Sequence, residues 1–201
     1  LSADELQQLA GWIYSPVTPR PDWSEAQIRA SRIEHVKNYD LRAAPVFTAD
    51  MMNLFLVVEA GDHHVSILDG DKLERIHRFP SRYALHGGPK FTPDGRYVFF
   101  CSRDGWVSKF DIWNLKTVSE VRAGINARNL AVSADGKYVA VANYLPNTLA
   151  LFDADLNLIK VIAAKNLKGD VSSRVSAVYD AGPRRSFVAA MKDMPELWEI
   201  S

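Results

Sequence analysis

His86 stands in the run His86-Gly87-Gly88-Pro89, where two residues without side chains leave room for a bulky group to approach the backbone. An imidazole nitrogen in such a loop serves either as an axial ligand to haem iron or as a structural hydrogen-bonding group, and the residues alone leave both readings open. Three arginines, Arg103, Arg128 and Arg174, offer planar forks that bind carboxylates in a bidentate manner. Each is equally able to pair with an aspartate of the protein itself. Tyr144 either faces a ligand beside them or packs on Pro146. His63 and His64 are adjacent, and neighbours on a strand point to opposite faces, so the pair is expected in an exposed turn rather than on one metal ion. His35 and His77 show no constellation around them. Cys101 lies in an apolar strand and reads as an inert core thiol.

The elements that must hold these residues repeat. Phe91-Thr92-Pro93-Asp94-Gly95-Arg96-Tyr97-Val98 returns as Val132-Ser133-Ala134-Asp135-Gly136-Lys137-Tyr138-Val139, and strand-ending aspartates recur at Asp69, Asp111 and Asp153. The period is about 42 residues, the length of a propeller blade. Each unit reads as four strands: an inner apolar strand, an Asp-Gly turn, then Tyr97 to Cys101, Val107 to Asp111 and Thr117 to Arg122 in the clearest copy. A looser fourth copy runs from Arg174 through Phe187 to Ile200. The predicted fold class is all-β, a partial β-propeller of about four blades. An open stack leaves an unpaired edge, so further blades are expected beyond Ser201.

Because strands alternate in direction, the connections between blades and the links from second to third strand emerge on one face. The first set holds His86, Arg128 and Arg174, with Arg128 and Arg174 at the same repeat position and His86 one residue before it. The second set holds Glu59, His63, His64, Arg103, Asp104, Asn143, Tyr144, Lys192 and Asp193. The expectation is a basic pocket near the axis, suited to a flat ligand bearing carboxylates.

Composition narrows the partners. Among 201 residues, 24 Lys+Arg balance 24 Asp+Glu, which argues against nucleic acid or an anionic membrane as the main partner. No apolar run approaches the ~20 residues that span a bilayer, and no signal peptide is recognisable. A single cysteine excludes an intrachain disulfide and a covalent c-type haem on these residues. At the front, Ser2-Ala3-Asp4-Glu5 has capping-box spacing and predicts a helix to about Tyr14, stopped by Pro16 and Pro19. Ser24 with Gln27 predicts a short second helix through Ala30, within a linker. Leu1 stands one residue before the first cap, so the chain is expected to be cut from something longer.

Four segments together resemble the haem d1 propeller family over roughly residues 45–201: Tyr83-Ala84-Leu85-His86-Gly87-Gly88-Pro89-Lys90-Phe91, Ser102-Arg103-Asp104-Gly105-Trp106, Ala123-Gly124-Ile125-Asn126-Ala127-Arg128-Asn129 and Asn143-Tyr144-Leu145-Pro146. The resemblance implies an eight-bladed propeller holding haem d1, with about four blades in this chain. It makes His86 the metal ligand and places Arg103 and Arg128 near the macrocycle's carboxylates; Tyr144 and Arg174, on the same face, are expected beside them as cofactor-binding residues, and no catalytic base is named. Residues 1–16 resemble the last helix of a c-type cytochrome domain, which implies a haem c in a missing N-terminal domain. Residues 17–44 are then a linker with a short helix, and 45–201 the N-terminal half of the propeller. The segments Trp23-Ser24-Glu25-Ala26-Gln27-Ile28-Arg29-Ala30-Ser31-Arg32, Gly61-Asp62-His63-His64 and His86-Gly87-Gly88-Pro89 are more similar to the branch that finishes the cofactor. That branch dehydrogenates a propionate of dihydro-haem d1 to acrylate and passes the electrons to the c-type haem. Nitrite reduction on haem d1 and non-catalytic carriage of haem d1 are the alternatives within the family. The resemblance also implies a periplasmic location and a transient complex with cytochrome cd1 nitrite reductase.

Overall fold

Both expected helices form where their caps stand. The computed structural model describes residues 1–15, 21–36, 42 and 44–201. In α1 (Ala3–Ile13) the Ser2 hydroxyl accepts from Glu5 N while the Glu5 carboxylate accepts from Ser2 N, and Ser24 and Gln27 repeat this at α2 (Glu25–Ala30). The proline stop at Pro16 and Pro19 and most of the linker between 37 and 44 lie outside the described residues. No helix among the described residues is long and apolar enough to cross a membrane.

After α2 comes β1 (Ile33–Glu34), which the linker reading did not contain. The repeats then supply the remaining strands. The first blade holds β2 (Leu54–Glu59), β3 (His64–Asp69) and β4 (Glu74–Pro80). The second holds β5 (Lys90–Phe91), β6 (Tyr97–Cys101), β7 (Trp106–Asp111) and β8 (Lys116–Arg122). The third holds β9 (Asn126–Val132), β10 (Tyr138–Leu145), β11 (Thr148–Asp153) and β12 (Leu158–Ala163), and the last β13 (Val175–Ala181), β14 (Ser186–Met191) and β15 (Leu197–Ile200). Each blade is an antiparallel meander, and β1 adds a fifth strand outside β8 in the second. The fold is an all-β partial propeller of four consecutive blades.

Two local devices explain why the sequence repeats. At the first turn, Tyr97 N donates to the Thr92 hydroxyl and Arg96 N to Asp94, the same bonds that Tyr138 N makes to Ser133 and Lys137 N to Asp135. Gly95 and Gly136 then take left-handed φ of 68° and 71°. At the outer turn, Asp69, Asp111 and Asp153 each accept backbone N–H groups of the turn that follows, which closes the β3–β4, β7–β8 and β11–β12 hairpins.

Apolar side chains fill the three gaps between successive blades. Val65, Ile67, Phe79, Phe100 and Phe110 pack between the first and second, with Phe79 and Phe110 rings stacked at 3.9 Å. Phe99, Val107, Leu130, Val141 and Phe152 fill the next gap, and Ile28 of α2 is buried among them at 1% exposure. Ala131, Ala140, Leu149, Val178 and Met191 fill the third. Trp23 and α2 with β1 thus strap the second and third blades together. Trp23 Nε1 donates to Arg122 O at 2.8 Å and Arg29 to Leu158 O at 2.8 Å, across the two outer strands.

Candidate functional site

The loop that carries His86 is pinned from both sides. Its backbone N donates to Cys101 O at 2.7 Å, Leu85 bridges Ser102, and Arg103 N donates to Ala84 O at 3.0 Å. These bonds join the connection between the first two blades to the β6–β7 turn, so the two sets of loops do emerge on one face. Gly87 has φ 85°, and a β-carbon there would meet Asn129 Cα at 3.1 Å and Arg128 O at 3.2 Å. Only glycine lets the loop lie this close to β9.

That approach builds the centre of the site. His86 Nδ1 bonds to the backbone carbonyl of Arg128 at 2.9 Å, and the Arg128 guanidinium meets His86 Nε2 at 2.8 Å. A carbonyl only accepts and a guanidinium only donates, so His86 is the Nδ1–H tautomer with its Nε2 lone pair turned to Arg128. A metal-binding imidazole requires the same arrangement, one nitrogen fixed by a backbone acceptor and the other presenting a lone pair.

Tyr144 gathers the cations. Arg128 Cζ lies 5.7 Å, Arg174 Cζ 5.2 Å and Lys192 Nζ 5.8 Å from its ring centroid, within cation–π reach. Four of the five expected site residues therefore form a chain, His86 to Arg128 to Tyr144 to Arg174. An open cleft of about 490 Å³ lies one blade beyond His86, between Tyr144, Arg174, Asn126 and Asn147.

Three side chains have surroundings that their spacing in the sequence does not show. Arg174 does not contribute a free charge: its fork holds Asp193 at 2.6 and 2.9 Å and keeps that carboxyl well below the usual range. The face is consequently less basic than the arginine count suggests. Arg103 stays outside the chain of contacts, with an exposed side chain that makes no hydrogen bond or ion pair among the described residues. His35 also has a constellation after all. It bonds Glu120 at 2.9 Å, beside Arg82 at 2.6 Å and Ser108 at 2.6 Å. The partners come from three separate segments, and no spacing in the sequence announces them.

His63 sits in a part-buried turn with φ 59°, its ring 4.8 Å from that of Tyr83, while His64 turns back to Asp62 O at 2.9 Å. No group of three or more metal-ligating side chains occurs among the described residues. Cys101 is buried and its thiol is pushed up to about 12 by burial, as a core residue should be.

Comparison with known proteins gives this face a context. A dihydro-heme d1 dehydrogenase of Pseudomonas aeruginosa is 59% identical over 193 residues, 96% of this chain and 39% of that protein. Protein NirF of the same organism is 35% identical over 149 residues, 73% of this chain and 38% of its own length. The solved structure of the dihydro-heme d1 dehydrogenase NirN in complex with DHE has a TM-score of 0.90 at 57% identity, covering 99% of this chain and 43% of that one. The chain thus spans about two fifths of the length of these relatives. Residues 49–201, from the threshold of the first blade onward, match the model of the cytochrome D1 heme domain, and the chain belongs to that family.

Proposed function

We propose that this chain forms part of a dihydro-haem d1 dehydrogenase, which binds the precursor on the face carrying His86 and converts one propionate side chain to acrylate. The observation that carries the reading is the likeness to a protein named for that reaction along 96% of the chain. In this reading residues 1–16 are the last helix of a c-type cytochrome domain, 17–44 the linker and 45–201 the leading half of the propeller. The exposure of Leu6, Leu9 and Ile13 on one face of α1 supports a partner for that helix outside the described residues.

His86 holds the iron through Nε2, and the Arg128 carbonyl fixes the ring for that task. Gly87 and Gly88 keep side chains away from the approaching plane. Arg103 and Arg128 take the carboxylates as bidentate forks, Tyr144 keeps Arg128 and Arg174 aligned, and Arg174 divides its charge with Asp193. The substrate macrocycle supplies the redox chemistry. Two protons and two electrons leave the propionate side chain as its carbon–carbon single bond becomes double. The protons would pass to water, and the electrons would leave one at a time through the c-type haem, which takes one electron and must be reoxidised by an external one-electron acceptor before it takes the second. Resemblance to the family further supports a periplasmic location and transient docking on cytochrome cd1 nitrite reductase for delivery of the product.

Absorption spectra of the full-length protein mixed with dihydro-haem d1 and with haem d1 test the proposal. Conversion of the precursor is expected, with two c haems reduced for each acrylate formed when no other oxidant is added, and His86→Ala should alter the iron spectrum. Binding without conversion would make the protein a carrier. Nitrite turnover on bound haem d1 would make it a reductase.

A further inference from the structure

We infer that Arg128 is a latch on His86. In the ligand-free state its guanidinium occupies the Nε2 lone pair, and ligand binding hands that guanidinium over to the macrocycle's carboxylates. The inference rests on the reading of His86 as the iron ligand. An imidazole nitrogen has one in-plane lone pair, and at 2.8 Å the Arg128 N–H is already using it. Iron ligation and this hydrogen bond exclude each other.

The latch has somewhere to go. Arg128 Cζ lies 5.7 Å from the Tyr144 ring, and Arg174 sits 5.2 Å from the same ring. Among the described residues Arg128 pairs with no carboxylate, whereas Arg174 is engaged by Asp193. A guanidinium released from His86 therefore stays on the Tyr144 platform, beside a cation already half-neutralised, and keeps its charge for a carboxylate of the ligand. The Arg128 carbonyl meanwhile holds Nδ1–H at 2.9 Å, so the ring keeps its tautomer when the side chain leaves. One residue thus caps the lone pair with its side chain and orients it with its backbone. Arg128 acts here as a positioning residue, distinct from a simple clamp because capping opposes association while clamping opposes dissociation.

The test compares haem d1 with its methyl-esterified form, which cannot use the clamp, on full-length wild type and Arg128→Met by stopped-flow absorption. For the ester, the variant should bind more tightly by roughly tenfold, the weight of one charge-assisted hydrogen bond, and the gain should appear as faster association. For the free acid, faster association should be offset by faster dissociation. In a His86→Ala background Arg128→Met should no longer speed association. Unchanged or weaker ester binding in Arg128→Met would overturn the latch. A second readout needs no variant to fold: nitrogen-15 NMR of ligand-free wild type should show His86 Nε2 as a hydrogen-bonded acceptor coupled to an Arg128 N–H. An Nε2 resonance at the free pyridine-type position would overturn the proposal. If His86→Ala leaves the iron spectrum intact, the ligand reading itself fails, and the ligand-free NMR still reports whether His86 and Arg128 are bonded.

Discussion

At the scale of single residues, the environment decides which groups are available. Gly87 is required twice over, by its φ of 85° and by the backbone of Asn129 at 3.1 Å from any added β-carbon. Gly87→Ala is expected to cost about 1–2 kcal/mol of stability, by denaturant unfolding, and to weaken haem d1 binding by displacing His86 from Arg128. Cys101 shows the opposite kind of control. Its thiol is pushed up to about 12 by burial, against an ordinary 9.0, so the folded chain keeps a proton that the unfolded chain gives up. That contribution is complete below pH 9 and declines above it by about 1.4 kcal/mol per pH unit. The stability advantage of wild type over Cys101→Ala, measured by denaturant unfolding in reductant, should therefore narrow between pH 9 and 11. A gap that stays constant with pH would show that the thiol is not buried.

The elements are specified by short-range bonds and held in place by long-range burial. The Thr92–Asp94 and Ser133–Asp135 turns close within five residues, and the aspartate turns within four, which is why a repeat in sequence becomes a repeat in structure. Ile28 is the buried side chain of the short helix α2. Ile28, 1% exposed between the second and third blades, should cost about 2–5 kcal/mol when cut to alanine, while Ser24→Ala at the cap should cost about 1 kcal/mol. Thermal or denaturant unfolding of the two variants would check the ratio, and similar costs would mean that α2 is not packed in the core. Gly105 belongs to the same scale. Its φ is 91° and an added β-carbon would collide with the carbonyl of Gly124, so Gly105→Ala should disturb the β6–β7 turn against the next connection.

For the whole molecule, polar ties between blades accompany the three apolar seams. Lys109, 5% exposed, reaches across to Asp155 at 2.9 Å, and Asn129 Oδ1 accepts Val178 N at 2.7 Å from the last blade. Glu120 gathers the loop between the first two blades through Arg82, its own blade through Ser108 and the N-terminal strap through His35. Burial opposes its charge, yet the bonds from Arg82, Ser108 and His35 prevail and hold the carboxyl below its ordinary 4.5. A carboxyl with a lowered value stabilises the fold above its ordinary range and loses that contribution as pH falls. Glu120→Gln should cost about 1–3 kcal/mol at pH 7 and flatten the loss of stability between pH 5 and 3, followed by urea unfolding across that range. The blade period, the turns, both helix caps and the shared face of the loops could be read in the sequence because each rests on residues a few positions apart or on strand alternation. Tertiary structure alone decided that β1 joins the second blade, that Ile28 enters the core, that Asp193 takes Arg174 and that Arg128 caps His86. A guanidinium pairs with whatever acceptor the packed backbone brings within about 3 Å, and that distance is set by the stacking of blades rather than by any local spacing.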